Sequence, residues 1–148
     1  MKTKIVIALL STAAILAWTE VAGAQLAPAT PKLQLPSGEA VWDLRGEWEA
    51  LIENYGPWQR FGTYRNVYGI EQDGRIVTAY RLKEGPPPGL EVAESPSLQG
   101  ELEQNGFKRV EILYARANVS PSTGRISADG KKIVIDNGRY VRVTLIRP

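Results

Sequence analysis

The chain has 148 residues, with 18 Lys and Arg against 16 Asp and Glu, and neither Cys nor His. Without His it lacks the commonest general base, metal ligand and physiological pH switch; without Cys it has no disulfide framework. The near balance of charge gives no electrostatic footprint for nucleic acid or an acidic membrane.

Lys2 and Lys4 precede an apolar run over 5–18, and Ala22-Gly23-Ala24 supplies the small residues of a cleavage site. Residues 1–24 therefore read as a secretory signal peptide of bacterial style. The apolar run is too short for a confident span, so no membrane span is expected after cleavage. The mature chain is expected in the periplasm or outside the cell. Residues 25–40 carry Pro28, Pro31 and Pro36 and few charges, and read as an extended arm or linker. Residues 38–44 are expected to form a turn or helical turn capping one end of the domain at 41–148.

From Gly46 onward the pattern repeats a strand and a connection. In 47–53, Trp48, Ala50 and Ile52 share one face while Glu47, Glu49 and Glu53 share the other. That period of two marks a strand with one dry and one wet side. Further strands are expected at 64–72, 75–82, 97–104, 108–116, 123–128, 131–136 and 139–147. In 75–82, Ile76, Thr78, Tyr80 and Leu82 are assigned inward, and Arg75 and Arg81 outward. Four of the seven connections hold Asp73-Gly74, Asn105-Gly106, Asp129-Gly130 or Asn137-Gly138, the dipeptides of tight antiparallel hairpins. The fold class is all-β: an eight-stranded antiparallel up-and-down meander, closed into a barrel because closure removes exposed edges.

Three tight turns fall at one end of such a meander, and three longer connections at the other. The longer ones are 54–62, with Tyr55, Trp58 and Phe61; 83–96, around Gly85-Pro86-Pro87-Pro88-Gly89; and 117–122. One end is thus a floor and the other a mouth. Trp48 is placed to plug the floor. Arg147, on the inward face of the last strand, is placed to reach it, and a guanidinium over an indole is favourable packing.

Gly46-Glu47-Trp48 within Asp43-Leu44-Arg45-Gly46-Glu47-Trp48 resembles the Gly-x-Trp opening of lipocalins and related calycins. The resemblance implies that Gly46, Trp48 and Arg147 form a structural motif, with the Arg covering the Trp at the floor. It also implies a ligand held inside the barrel. Two features depart from the family. The Thr-Asp-Tyr motif is replaced by Ala128-Asp129-Gly130-Lys131, and no helix is expected after the last strand.

The expected ligand-binding residues are Tyr55, Trp58 and Phe61 on the mouth connection and Tyr68, Tyr80 and Tyr114 on inward faces. Together they suggest a small apolar or amphipathic ligand in a concave site with polar tips. The alternative is a protein-binding envelope module, an inhibitor or an assembly subunit, meeting its partner through Trp58, Phe61 and the Pro-rich connection at 83–96. No phosphate loop, metal spacing or nucleophile elbow is present, so no cofactor, metal site or enzymatic activity is expected.

Overall fold

A computed structural model describes residues 30–82, 95–113 and 121–148. The expected signal peptide, most of the connection at 83–96, and Tyr114 lie outside these residues. Two short strands come first, β1 (Lys32–Gln34) and β2 (Ala40–Trp42). Then follow β3 (Gly46–Asn54), a 3-10 turn at Gly56–Phe61, β4 (Thr63–Asp73), β5 (Ile76–Arg81) and β6 (Pro96–Glu103). The last four are β7 (Gly106–Ile112), β8 (Thr123–Ile126), β9 (Lys132–Asp136) and β10 (Val141–Ile146).

The eight strands after Gly46 form one antiparallel sheet in the order β7-β6-β5-β4-β3-β10-β9-β8. Sequence neighbours pair in a ladder except β7 and β8, and the first strand of the meander, β3, pairs with the last, β10, from Val141↔Asn54 to Ile146↔Glu49. The sheet's two ends, β7 and β8, come side by side and share the bridge Val110↔Ser122. The result is an all-β, nearly closed eight-stranded barrel. Among the described residues no helix is long and apolar enough to cross a membrane.

Two irregularities aim side chains. Ser97 is the extra residue between Tyr80↔Pro96 and Ala79↔Leu98, so Ser97 and Leu98 are both buried. Lys108 is the extra residue between Leu102↔Phe107 and Glu101↔Arg109. Lys108 and Arg109 consequently both face solvent, where they reach Glu101 at 3.5 and 3.0 Å. An inserted residue breaks the period of two and bends the strand, which helps a sheet to curl.

The floor is dry. Trp48 has no exposed surface, and its indole N–H donates to the Leu44 carbonyl at 2.8 Å. Arg147 stacks over it, 4.7 Å from the ring centroid, and donates to the carbonyls of Asp43 at 2.9 Å and Arg45 at 3.2 Å. Gly46 makes the entry at φ +115, a conformation that disfavours a β-carbon.

Residues 32–42 correct the expectation of a free arm and of a helical turn. Lys32–Gln34 pairs with Ala40–Trp42 in a hairpin docked across the floor. Val41 and Leu44 are fully buried, and the Lys32 ammonium lies 4.6 Å from the Trp42 ring centroid. Glu39 pairs with Arg75 at one tight turn. At another, the Thr30 N–H donates to the Asp129 carbonyl at 3.0 Å. The Gln72 side chain ties the hairpin to β4, accepting from Leu44 N–H and donating to the Trp42 carbonyl.

The faces of β5 are also the reverse of those expected. Val77, Ala79 and Arg81 are buried, while Ile76 and Leu82 are exposed and Tyr80 lies half-buried on the outer wall. Both faces of 76–82 hold apolar residues, so alternation alone does not choose between them. The turn chooses: Asp73 pairs with Ile76, making Gly74 and Arg75 the turn residues, with Gly74 at φ +56.

The hairpin's pressure on the floor is measurable at Gly130. Its φ is +70, and a β-carbon there would stand 2.7 Å from both Thr30 Cβ and the Trp42 ring. Gly138 has a similar φ of +76 but open space around it. Gly130→Ala is expected to lower stability by about 1–3 kcal/mol in urea unfolding, and by more than Gly138→Ala does. Equal losses would mean that the hairpin does not bear on this turn.

Candidate functional site

The interior divides by height. Around Trp48 the inward residues are apolar: Ile70, Val77, Leu98, Leu102, Ile133 and Leu145 are all buried. Toward the mouth the same alternation delivers polar groups. β3 ends on Asn54, β4 begins with Tyr64 and Asn66, β5 ends on Arg81, β6 opens with Ser97, and Asn137 follows β9. All six are at least nine-tenths buried. Burying a polar group is unfavourable unless it is hydrogen-bonded, and burying a charge more so. A core selected only for packing would be apolar in this half as well.

The hydrogen bonds of this layer define what it offers. Asn54 donates through Nδ2 to the Gly62 carbonyl at 2.9 Å. Its Oδ1 is shielded from solvent and has no hydrogen-bond partner among the described residues; the hydroxyls of Ser97 and Ser122 are in the same position. Asn54 Oδ1 can only accept. Arg81 contributes a planar fork of donors suited to carboxylate-like groups. Among the described residues no Asp or Glu is buried. The inward set among the described residues is therefore cationic and hydrogen-bonding.

The expected site residues distribute differently. Tyr68 is fully buried, between Trp48 and Arg81 in the pairing register. Tyr80 faces outward, because β5 turns its other face inward. Tyr55 leaves the mouth for the outer wall, where its hydroxyl donates to Asp136 Oδ1. Trp58 and Phe61 are half-buried and pack on their own surroundings. The Trp58 ring lies 5.0 Å from Tyr140 at 30° and meets Phe61 edge-on at 6.3 Å. Tyr64, Asn66, Arg81, Ser97 and Asn137 were not expected, because pattern reading assigns polar residues to water.

One side of the mouth is a rigid clamp. The connection after β3 docks on the turn before β10. Tyr55 N–H donates to the Tyr140 carbonyl at 2.8 Å. Gly56, at φ +55, passes so near Arg139 that a β-carbon would stand 2.6 Å from its carbonyl oxygen. Asp136 is the hub, accepting also from Gly138 N–H at 2.6 Å and pairing with Arg142 at 2.8 Å. Partial burial pushes its carboxyl upward, but the Tyr55 hydroxyl, Gly138 N–H and Arg142 outweigh this and hold it below the usual range. Burial, with the hydrogen bond to Asp136, pushes the Tyr55 hydroxyl up to about 12.

Outside the barrel, a groove of about 520 Å³ runs over β3, β10, β9 and β8, lined by charged and threonine side chains including Glu53, Arg125, Lys132 and Arg142. Inside, the dry half holds a cavity of only about 20 Å³. Comparison with protein-family models, with curated proteins and with solved structures found no match to this chain.

The clamp gives stability a dependence on pH at both extremes. Asp136 is held below its unfolded value, so its contribution is present above about pH 4 and is lost as pH falls through the depressed value. Tyr55 is raised, so its contribution is present below about pH 10 and is lost as pH rises toward 12. Tyr55→Phe is expected to flatten the alkaline limb and to weaken the acid one. Urea midpoints measured across the pH range check this; an unchanged alkaline limb would refute the assignment.

Proposed function

We propose that the chain is an exported lipocalin-like barrel that holds a small amphipathic molecule in its mouth half, with the polar end of the ligand inward. The observation that carries this reading is the buried polar layer formed by Asn54, Tyr64, Asn66, Arg81, Ser97 and Asn137. A buried polar layer needs a hydrogen bond for each of its groups, and two of its oxygens, Asn54 Oδ1 and Ser97 Oγ, find none among the described residues, which calls for an explanation. The shielded oxygens of Asn54 and Ser97 suit a ligand carrying N–H or O–H groups.

The small volume of the dry cavity supports the orientation. An apolar tail has no room beneath Tyr68, so it lies toward the rim. Kinship with calycins rests on the Gly46 and Trp48 opening and the Arg147 stack, and it supports ligand binding as the task. The rival reading, a protein-binding module, leaned on exposed Trp58 and Phe61. Trp58 packs against Tyr140 and Phe61, which weakens that part of the motivation; the Pro-rich connection at 83–96 that also motivated it lies outside the described residues for the most part.

Native mass spectrometry of the full chain, exported and purified from a bacterial periplasm, tests the proposal. A small molecule is expected to co-purify and to be lost on Arg81→Met, while circular dichroism shows the barrel intact. A wild-type protein that emerges empty, and that no small carboxylate or hydroxylated amphiphile stabilises against heat, would overturn it.

A further inference from the structure

One join in the barrel wall is made by a side chain instead of a ladder, and it lies away from the mouth. Between β7 and β8 the described residues share one bridge, Val110↔Ser122, near the upper end of the join. Below it the two strands run side by side without ladder pairs. β8 is four residues long and its ladder is with β9.

Phe107 closes the gap. The extra residue Lys108 puts Phe107 and Val110 on the same, inner side of β7. The phenyl ring lies between two glycines. A β-carbon at Gly100 would stand 2.9 Å from Phe107 Cε1, and one at Gly124 would stand 2.7 Å from Cδ2. Both positions are therefore flat walls of a slot one ring thick. Behind the ring lies the cavity of about 20 Å³, bounded by Phe107, Leu98, Val110, Ile133 and Ile135. Space with such a lining stays dry, and at this size it takes a ring only together with the slot that Phe107 vacates. Phe107 itself is only partly buried against the core, so turning it to solvent sacrifices less than releasing a wholly interior ring.

From this we infer that the seam is a second binding site, for one apolar ring-sized group, and that the phenyl of Phe107 is its resident stand-in. An entering ring takes over the contacts with Gly100 and Gly124 and extends into the cavity behind. The inference is independent of the polar layer at the mouth, and either can fail without the other.

The test is a titration of the full-length wild-type chain with toluene, followed through the methyl resonances of Val110, Ile133 and Ile135. Saturable shifts are expected there and not at Val141 or Val143 in the mouth half. In Phe107→Ala, where no ring need be displaced, binding is expected to tighten by roughly ten-fold or more. Wild-type methyls that stay still to the solubility limit of toluene overturn the inference, even if the Ala variant binds, since the space would then be made by the substitution. Shifts spread over all methyls without saturation, the mark of general partitioning, overturn it as well. The wild-type titration decides alone should the variant fail to fold.

Discussion

The stack of Arg147 on Trp48 is the constraint on which the rest of the molecule turns. A lone cation–indole contact contributes about 0.5–2 kcal/mol, but this one is fixed from both sides. The guanidinium donates to the carbonyls of Asp43 and Arg45, and the indole donates to Leu44. The segment entering β3 and the residue leaving β10 are thereby locked together at the floor. The β3–β10 ladder that joins the ends of the meander starts from this point, and so does the placement of the hairpin that seals the floor from below.

With the floor sealed and dry, polarity is pushed to the other end. Toward the mouth, polar groups join apolar ones such as Ile52, Val141 and Val143 in the interior of the same sheet. β3 runs from Trp48 to Asn54 and β4 from Tyr64 to Ile70, each crossing from one regime to the other within a few residues. The apolar half is filled by its own side chains but for a cavity of about 20 Å³.

Much of the architecture was legible in the residues. Four Asn-Gly or Asp-Gly reversals between alternating runs are enough to give a meander, and Gly46, Trp48 and Arg147 locate its floor. What escaped has physical causes. The pairs formed by Lys32–Gln34 and Ala40–Trp42 are too short to show a period. β5 is apolar on both sides, so its facing depends on a turn displaced by one residue. The insertions at Ser97 and Lys108 reset alternation midway along a strand. Arg81, Asn54 and Asn66 were invisible as interior groups because burial of such residues is rare. Tyr55 finds Asp136 across 81 positions of sequence, a pairing no local pattern announces.

The incomplete seam also has a topological meaning. In space the sheet begins at β7 and ends at β8, yet in sequence these strands are consecutive. A break in the chain between them would interrupt no ladder and leave two pieces, one carrying β1 to β7 and the other β8 to β10. Those pieces would still share the six register pairs from Val141↔Asn54 to Ile146↔Glu49, together with the stack of Arg147 on Trp48. The molecule is, in that sense, two complementary halves held in one polypeptide, meeting along the β3–β10 ladder, at the hairpin on the Asp129-Gly130 turn and at the contacts of Tyr55 and Trp58 with Asp136 and Tyr140.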